Sequence, residues 1–303
     1  MWKIMAEIQA RFTEPKMKEL KNLVGKLRLI DDTFFEKVME DRETCEEVVR
    51  VIMEDPALQI EEVNPQEPVH NLQGRSVRLD VLCRRPDGSY INVEIQRADN
   101  DDHFRRVRYH ASCLTANITD PGEIFKNVKD VCVIYISEFD LFQRGKPIYH
   151  VRHIVQETEK DREPVYVDDG FSSIYVNTAV DDNTEIAELM QCFLQPRVEN
   201  EKFPKLSRRV AQFKDSEEGV REMCAIVEAY VEKRANENRT EWIKEGIKEG
   251  IKEGMEMGRA KEIIRLSRRY HISDTDIEAD LRKTLQITSE SARKYMEIFA
   301  EAD

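Results

Sequence analysis

Apolar residues near the start of the chain recur at helical spacing: Leu20, Leu23 and Leu27, then Phe34, Phe35, Val38 and Met39, then Val48, Val49, Ile52 and Met53. Helix is predicted from Lys16 to about Glu54, with Asp31 or Asp32 as an N-cap and Asp55-Pro56 as its stop. The period then shortens to two. Leu58–Val63, Val77–Arg84 and Tyr90–Arg97 read as strands, and the Pro, Asp and Gly of Arg85–Ser89 make the last two a hairpin. After a polar link, Ala98–Asp102, the spacing of Phe104, Val107, Ala111 and Leu114 predicts another helix. Val131–Ile136, the longest uninterrupted apolar run, reads as a strand buried on both faces, and Tyr149–Val155 and Ile174–Val176 add further strands.

Helices, strands, a helix and more strands give an α/β fold that ends near residue 180. From Glu185 onward the pattern is helical, with breaks expected at Pro196, Pro204 and the polar Ala235–Arg239 region. The expected organisation is a core with amino-terminal helices over 1–180, a helical extension packing on it over 181–235, a glycine-repeat helix over 236–262 and a small helical bundle over 263–303. The repeat reads Ile243-Lys-Glu-Gly, Ile247-Lys-Glu-Gly, Ile251-Lys-Glu-Gly and Met255-Glu-Met-Gly. A period of four places Gly246, Gly250, Gly254 and Gly258 beside an apolar stripe of Ile243, Ile247, Ile251 and Met255. Each glycine costs a helix about 1 kcal/mol relative to Ala. Close approach by a second copy would compensate, which makes a homo-oligomer one reading; an exposed helical spacer is the other. The terminal segments Ile263–Tyr270, Asp274–Leu285 and Ser289–Phe299 suit a three-helix bundle better than a helix-turn-helix reader of DNA.

Charge narrows the function. The net charge of -13 argues against phosphate binding over the whole surface. It is unevenly spread, with 26 basic and 38 acidic residues in 1–200 against 21 and 22 in 201–303. His103–His110 (HFRRVRYH) holds three arginines and no acid, and is where a phosphate-contacting patch would lie. A mean hydropathy of -0.61 and the lack of a long apolar stretch exclude a membrane span, and no secretory signal is expected near Met1–Lys16. Six scattered cysteines suggest neither a zinc site nor a disulfide framework, so reduced thiols in the cytoplasm are expected.

The hairpin carries the candidate chemistry. A turn at Asp87-Gly88 brings Asp80 opposite Glu94, and alternation puts Asn92, Glu94 and Gln96 on one face. Carboxylates about 5 Å apart repel unless a cation lies between them. Mg²⁺ suits such oxygen donors, although a solvated outer sheet face accounts for the same pattern. The histidines form no site by spacing. His150 and His153 would face opposite sides of a strand, while His103 and His110 share a helix face and suit phosphate contact better than metal.

Asp80 followed by Glu94-Ile95-Gln96 resembles the D…(D/E)xK signature of the PD-(D/E)XK nucleases. The likeness extends to Asp31–Asp41 (DDTFFEKVMED), Gly74–Cys83 (GRSVRLDVLC), Tyr90–Asp99 (YINVEIQRAD), Phe104–His110 (FRRVRYH), Val131–Phe142 (VCVIYISEFDLF) and Pro147–Val151 (PIYHV). Together these resemble the Rpn-type PD-(D/E)XK family, the recombination-promoting nucleases or nuclease family transposases. The resemblance covers about residues 25–235.

It implies a restriction-endonuclease-like core, a mixed β-sheet flanked by helices, and a metal-dependent DNA endonuclease linked to recombination or mobile elements. Asp80, Glu94 and the Ile95 carbonyl would hold Mg²⁺, with Mn²⁺ or Ca²⁺ as alternatives. Gln96 takes the place of the family's lysine and can orient a water but adds no positive charge; similar nucleases tolerate it. Asp32 and Glu36 are candidates for an additional acid, Asp32 competing with its N-cap reading. Arg105, Arg106 and Tyr109 match the family's Arg/Tyr pattern and would contact DNA phosphates, or one arginine would neutralise the acids. The competing function is an inactive or regulated nuclease-fold module that binds DNA or a partner, in a defence or toxin-type system.

Overall fold

The computed structural model describes residues 14–71, 75–155 and 165–300, without the side chains of 237–253. The chain divides into two compact units, Met1–Tyr230 and Val231–Asp303. No helix among the described residues is long and apolar enough to cross a membrane.

The first helical stretch resolves into α1 (Glu14–Lys26), α2 (Asp32–Met39) and α3 (Arg42–Met53). Asp41 caps α3 by accepting from the Thr44 amide at 2.9 Å, and Glu54 ends it in the left-handed region at φ 53° ahead of Pro56. Beyond lie β1 (Glu62–Val69), β2 (Val77–Arg84), β3 (Tyr90–Gln96), α4 (His103–Ile118), β4 (Val131–Ser137), β5 (Ile148–Val151), β6 (Ile154–Val155), β7 (Val165–Tyr166) and β8 (Phe171–Asn177). α5 (Glu185–Leu194), α6 (Pro204–Asp215), α7 (Glu217–Arg269), α8 (Asp274–Leu285) and α9 (Ser289–Ile298) complete the order.

Two sequence expectations need correction. The first strand lies at Glu62–Val69, later than Leu58–Val63, and contains Pro65 and Pro68. Prolines hide the strand in the sequence, yet β1 is an edge strand, where a missing N–H need not cost a ladder bond. The expected break at Ala235–Arg239 is absent, and α7 continues through it. That polar run contains neither Pro nor Gly, so nothing in its propensity stops a helix.

One six-stranded mixed sheet, in the order β1-β2-β3-β4-β8-β5, forms the middle layer; β6 and β7 pair separately. β3, β4 and β8 run parallel, while β1, β2 and β5 join antiparallel. Every residue of β4 is buried, because helices cover both of its faces. On one face, α1–α3, α5, α6 and the start of α7 close over Val81, Ile91, Val93 and Ile134. On the other, Val107, Ala111 and Leu114 of α4 cover Leu79, Leu82, Val133 and Tyr135. The layers are thus helix, sheet, helix, as expected for the core.

In the second unit, α8, α9 and the end of α7 pack round Ala260, Ile264, Ile277, Leu281 and Ala292. Ser273 and Thr288 cap α8 and α9. The glycine repeat lies within α7, and its side chains up to residue 253 fall outside the described residues. A Cβ added at Gly254 or Gly258 would meet nothing within 4 Å.

One buried charge tests the packing of the first unit. Lys214 of α6 is 8% exposed, donates to the Val24 carbonyl in the last turn of α1 and to the Leu27 carbonyl just after it, and stands 4.4 Å over the Phe34 ring. Burial lowers its pKa from 10.5 to about 8. The unfolded chain therefore holds this proton to higher pH than the folded one, and stability rises with pH between those values. Chemical denaturation from pH 7 to 10.5 should show that rise in the wild type relative to Lys214→Met, by about 3 kcal/mol.

Candidate active site

β1, β2 and β3 separate at one point. The β1/β2 ladder pairs Pro65 with Val81 and Glu67 with Leu79, stepping over Gln66 and Asp80. The β2/β3 ladder ends at Val81 and Val93, one residue short of setting Asp80 against Glu94. Alternation breaks here as well. Val81 and Cys83 join the cluster under α2 and α3, whereas Leu79 and Leu82 both join the cluster under α4. Gln66, with φ 54°, supplies the local twist, a left-handed conformation unusual for a residue with a side chain. At this opening the Asp80 carboxylate accepts the Ile95 amide at 2.9 Å.

Glu94 is 5% exposed on the α4 side of β3. Asn92 Nδ2 donates to its Oε1 at 2.8 Å. His110 Nδ1 lies 3.1 Å from the same oxygen without hydrogen-bond alignment. The other two acids come from α2, whose buried Phe34, Phe35 and Val38 seat it on the sheet. The N-cap position is Asp31, so the N-cap reading of Asp32 is corrected: Asp32 is the first residue of the helix. The Asp31 carboxylate does not cap the helix; it turns back to the Arg28 amide at 2.7 Å. Glu36, one turn further, accepts from the Gln66 side chain.

Burial holds the Asp80 carboxyl well above its ordinary 3.8, and the negative charges of Glu94, Asp32 and Glu36 add to the effect against the Ile95 bond. The three other acids thus all bear on Asp80. Among the described residues, no three such side chains already stand as a metal cage. In oxygen donors and concentrated negative charge the set is of the kind that suits a hard divalent ion.

The end of β3 is fixed by its neighbours. Gln96 Nε2 donates to the Ala98 carbonyl at 2.6 Å, which leaves Oε1 as its acceptor. Arg97 meets Asp31 at 2.5 Å and Glu138 at 3.5 Å, while Arg28 meets Glu138 at 3.1 Å. Arg28, Asp31, Arg97 and Glu138 thus form a linked rim beside the acids. The sequence offers Asp31 only as an N-cap and gives no sign of Arg28, Arg97 or Glu138, because scattered charges show no pattern until the fold gathers them. Gln66 was missed for a similar reason, since nothing in Asn-Pro-Gln-Glu-Pro announces a left-handed residue inside a strand.

The candidate phosphate residues divide along α4. Arg105 is exposed and makes no ion pair among the described residues. Arg106 is half-buried and meets Asp102 at 3.2 Å. The Tyr109 hydroxyl donates to the Arg75 carbonyl and accepts from Asn71 Nδ2 at 3.1 Å, tying α4 to the segment before β2. The phosphate reading of His103 and His110 is corrected, because both are buried against the sheet. His103 bridges Tyr135 at 2.8 Å and Asp99 at 2.9 Å. His150 and His153 stay separate, facing Glu54 at 3.9 Å and Asp169 at 2.6 Å.

A stability measurement tests the acid cluster. Folded Asp80 keeps its proton to higher pH than in the unfolded chain, so stability falls as pH rises above 3.8 through the raised value. Asp80→Asn removes that fall. In EDTA at pH 7.5 the variant should be more stable than the wild type by at least about 1 kcal/mol, with the gain lost near pH 3.5, as thermal melting will report.

Residues 46–190 match the family model described as PD-(D/E)XK nuclease family transposase. No curated protein and no solved structure matches the chain. The matched segment contains the whole six-stranded sheet, α4 and Asp80 through Gln96, but stops short of the repeat helix. With its mixed sheet between helical layers, the segment 46–190 belongs to the PD-(D/E)XK nuclease family transposases.

Proposed function

We propose that this protein is a Mg²⁺-dependent DNA endonuclease that hydrolyses backbone phosphodiesters in a recombination or mobile-element setting. The carrying observation is the opening between β2 and β3, where pairing stops short of Asp80 and Glu94 and the charges of Glu94, Asp32 and Glu36 reach Asp80. The family match supports nuclease chemistry, and PD-(D/E)XK nucleases generally use divalent metal ions.

Asp80 and Glu94, with the Ile95 carbonyl, would hold the ion, Mn²⁺ or Ca²⁺ substituting for Mg²⁺. Bound there, a divalent ion lowers the pKa of a water and neutralises charge on a phosphoryl oxygen. Gln96 Oε1 accepts from the attacking water and sets its direction, while Nε2 stays committed to Ala98. Asn92 bonds Glu94 and His110 stands against the same oxygen at 3.1 Å, which limits the rotamers open to it. Arg105 contacts a phosphate flanking the scissile bond, and Arg106 does so only by leaving its pair with Asp102. Arg97 and Arg28 place guanidinium groups at the rim, engaged by Asp31 and Glu138. Asp32 and Glu36 serve as the additional acids. We further propose a homo-oligomer formed through the repeat helix, in the cytoplasm, where six free and buried thiols stay reduced.

Gln96 in place of lysine and the net charge of -13 favour a second reading, a nuclease-fold module that binds DNA or a partner without cutting. Supercoiled plasmid separates the two. With Mg²⁺ the wild type should nick it and EDTA should stop the reaction; Asp80→Ala and Glu94→Ala should each lose at least about a hundredfold. Tight plasmid binding by folded wild type with no nicking in Mg²⁺, Mn²⁺ or Ca²⁺ would favour the binding module.

The support for Glu94 makes a separate prediction. His110→Ala should weaken Mn²⁺ binding about tenfold by calorimetry, while its melting curve stays cooperative.

A further inference from the structure

Glu94 lies in a row that crosses the sheet. It pairs with Tyr135 of β4, Tyr135 with Tyr175 of β8, and Tyr175 with Tyr149 of β5. Strands are about 4.8 Å apart, so Tyr175 stands about 10 Å along the sheet from Glu94. Phe104, on the first turn of α4, packs on Tyr175 at 5.4 Å and on Phe142 at 5.5 Å between ring centroids, and is still 51% exposed. Arg105 is the next residue, exposed and without an ion pair among the described residues.

The ring is held from below. Asp140 accepts from the amides of Phe142 at 3.2 Å, Gln143 at 3.0 Å and Gly145 at 2.8 Å, and from the Tyr149 hydroxyl at 2.8 Å. These bonds fix the loop that places Phe142 against Phe104. On the helix side, His103 anchors the same turn to Tyr135. A half-exposed phenylalanine on rigid supports, beside an unpaired arginine, is a stacking platform with a phosphate contact.

We propose that Phe104 stacks on a nucleobase of the DNA strand being cut, and that the substrate carries an unpaired base near the scissile phosphate, as in a single strand, flap or overhang. This rests on the nuclease reading and specifies its substrate class. Bases within a duplex are already stacked on both sides, so a fixed ring gains contact only with an unpaired one. Continuity of the row from Glu94 to Tyr175 places the platform beside the candidate metal ligands, and Arg105 complements the strand's charge.

The test uses the full chain, a single-stranded oligonucleotide containing 2-aminopurine and a blunt duplex of the same sequence. Binding is measured in EDTA and in Ca²⁺, with the oligonucleotide shown intact on a gel. Wild type should bind the single strand about tenfold more tightly than the duplex and quench its fluorescence. Phe104→Ala, folded by thermal melting, should lose the quench and about tenfold in affinity, and Phe104→Tyr should keep both. Unchanged quench and affinity in Phe104→Ala, or duplex bound as tightly as single strand by wild type, would overturn the platform; plasmid nicking in Mg²⁺ would then leave the nuclease reading standing. Wild type that neither binds DNA in either buffer nor nicks plasmid would overturn both.

Discussion

A strand that satisfies every ladder bond has no room for a functional carboxylate between it and its neighbour. Here β1, β2 and β3 surrender their pairing at Gln66, Asp80 and Glu94, and the Asp80 side chain takes the Ile95 amide at the opening. The local arrangement follows from that exchange. Glu94 can be nearly buried because Asn92 bonds it on the α4 side, and α2 can bring Asp32 and Glu36 within range of Asp80 from the other side. Left-handed Gln66 makes the twist, and its amide reaches across to Glu36, so the residue that bends the strand also holds one of the acids.

The electrostatics follow a consistent division. Negative charge is concentrated inside, where burial and mutual repulsion lift the proton affinity of Asp80. At the rim the charges are paired with one another, Arg28 and Arg97 with Asp31 and Glu138. Such a centre costs stability at Asp80, and under the proposed nuclease reading a bound cation would offset that cost. The negative net charge of the chain is compatible with phosphate binding because the groups that would meet the substrate are local. Arg105 is exposed beside Phe104, whereas Arg106 is turned toward Asp102.

The architecture was legible from hydrophobic spacing wherever a segment had one environment. β4 was readable because both its faces are covered, and the β2–β3 hairpin because Asp87-Gly88 gives the turn and Gly88 adopts φ 85°. β1 lies later than the spacing predicts because its prolines obscure an edge strand, and α7 runs unbroken because polarity without Pro or Gly does not stop a helix. Asp80, Glu94 and Gln96 were legible through their spacing and the family they resemble. His103 and His110 were legible only as sharing a helix face; which side that face turned to was set by the packing of α4 on the sheet.

The sequence by itself determined the order of helices and strands, the hairpin that joins the strands of Asp80 and Glu94, and the presence of Gln96 where a lysine is usual. Those are local properties, fixed by periodicity, turn chemistry and residue identity. Tertiary structure alone decided that the ladders skip Asp80, that α2 delivers Asp32 and Glu36 to it, that Arg28 and Arg97 meet over Asp31 and Glu138, and that Phe104 rests on Tyr175 and Phe142. Each of these joins residues far apart in the chain, and their contact depends on how the layers pack, which no short window of sequence encodes.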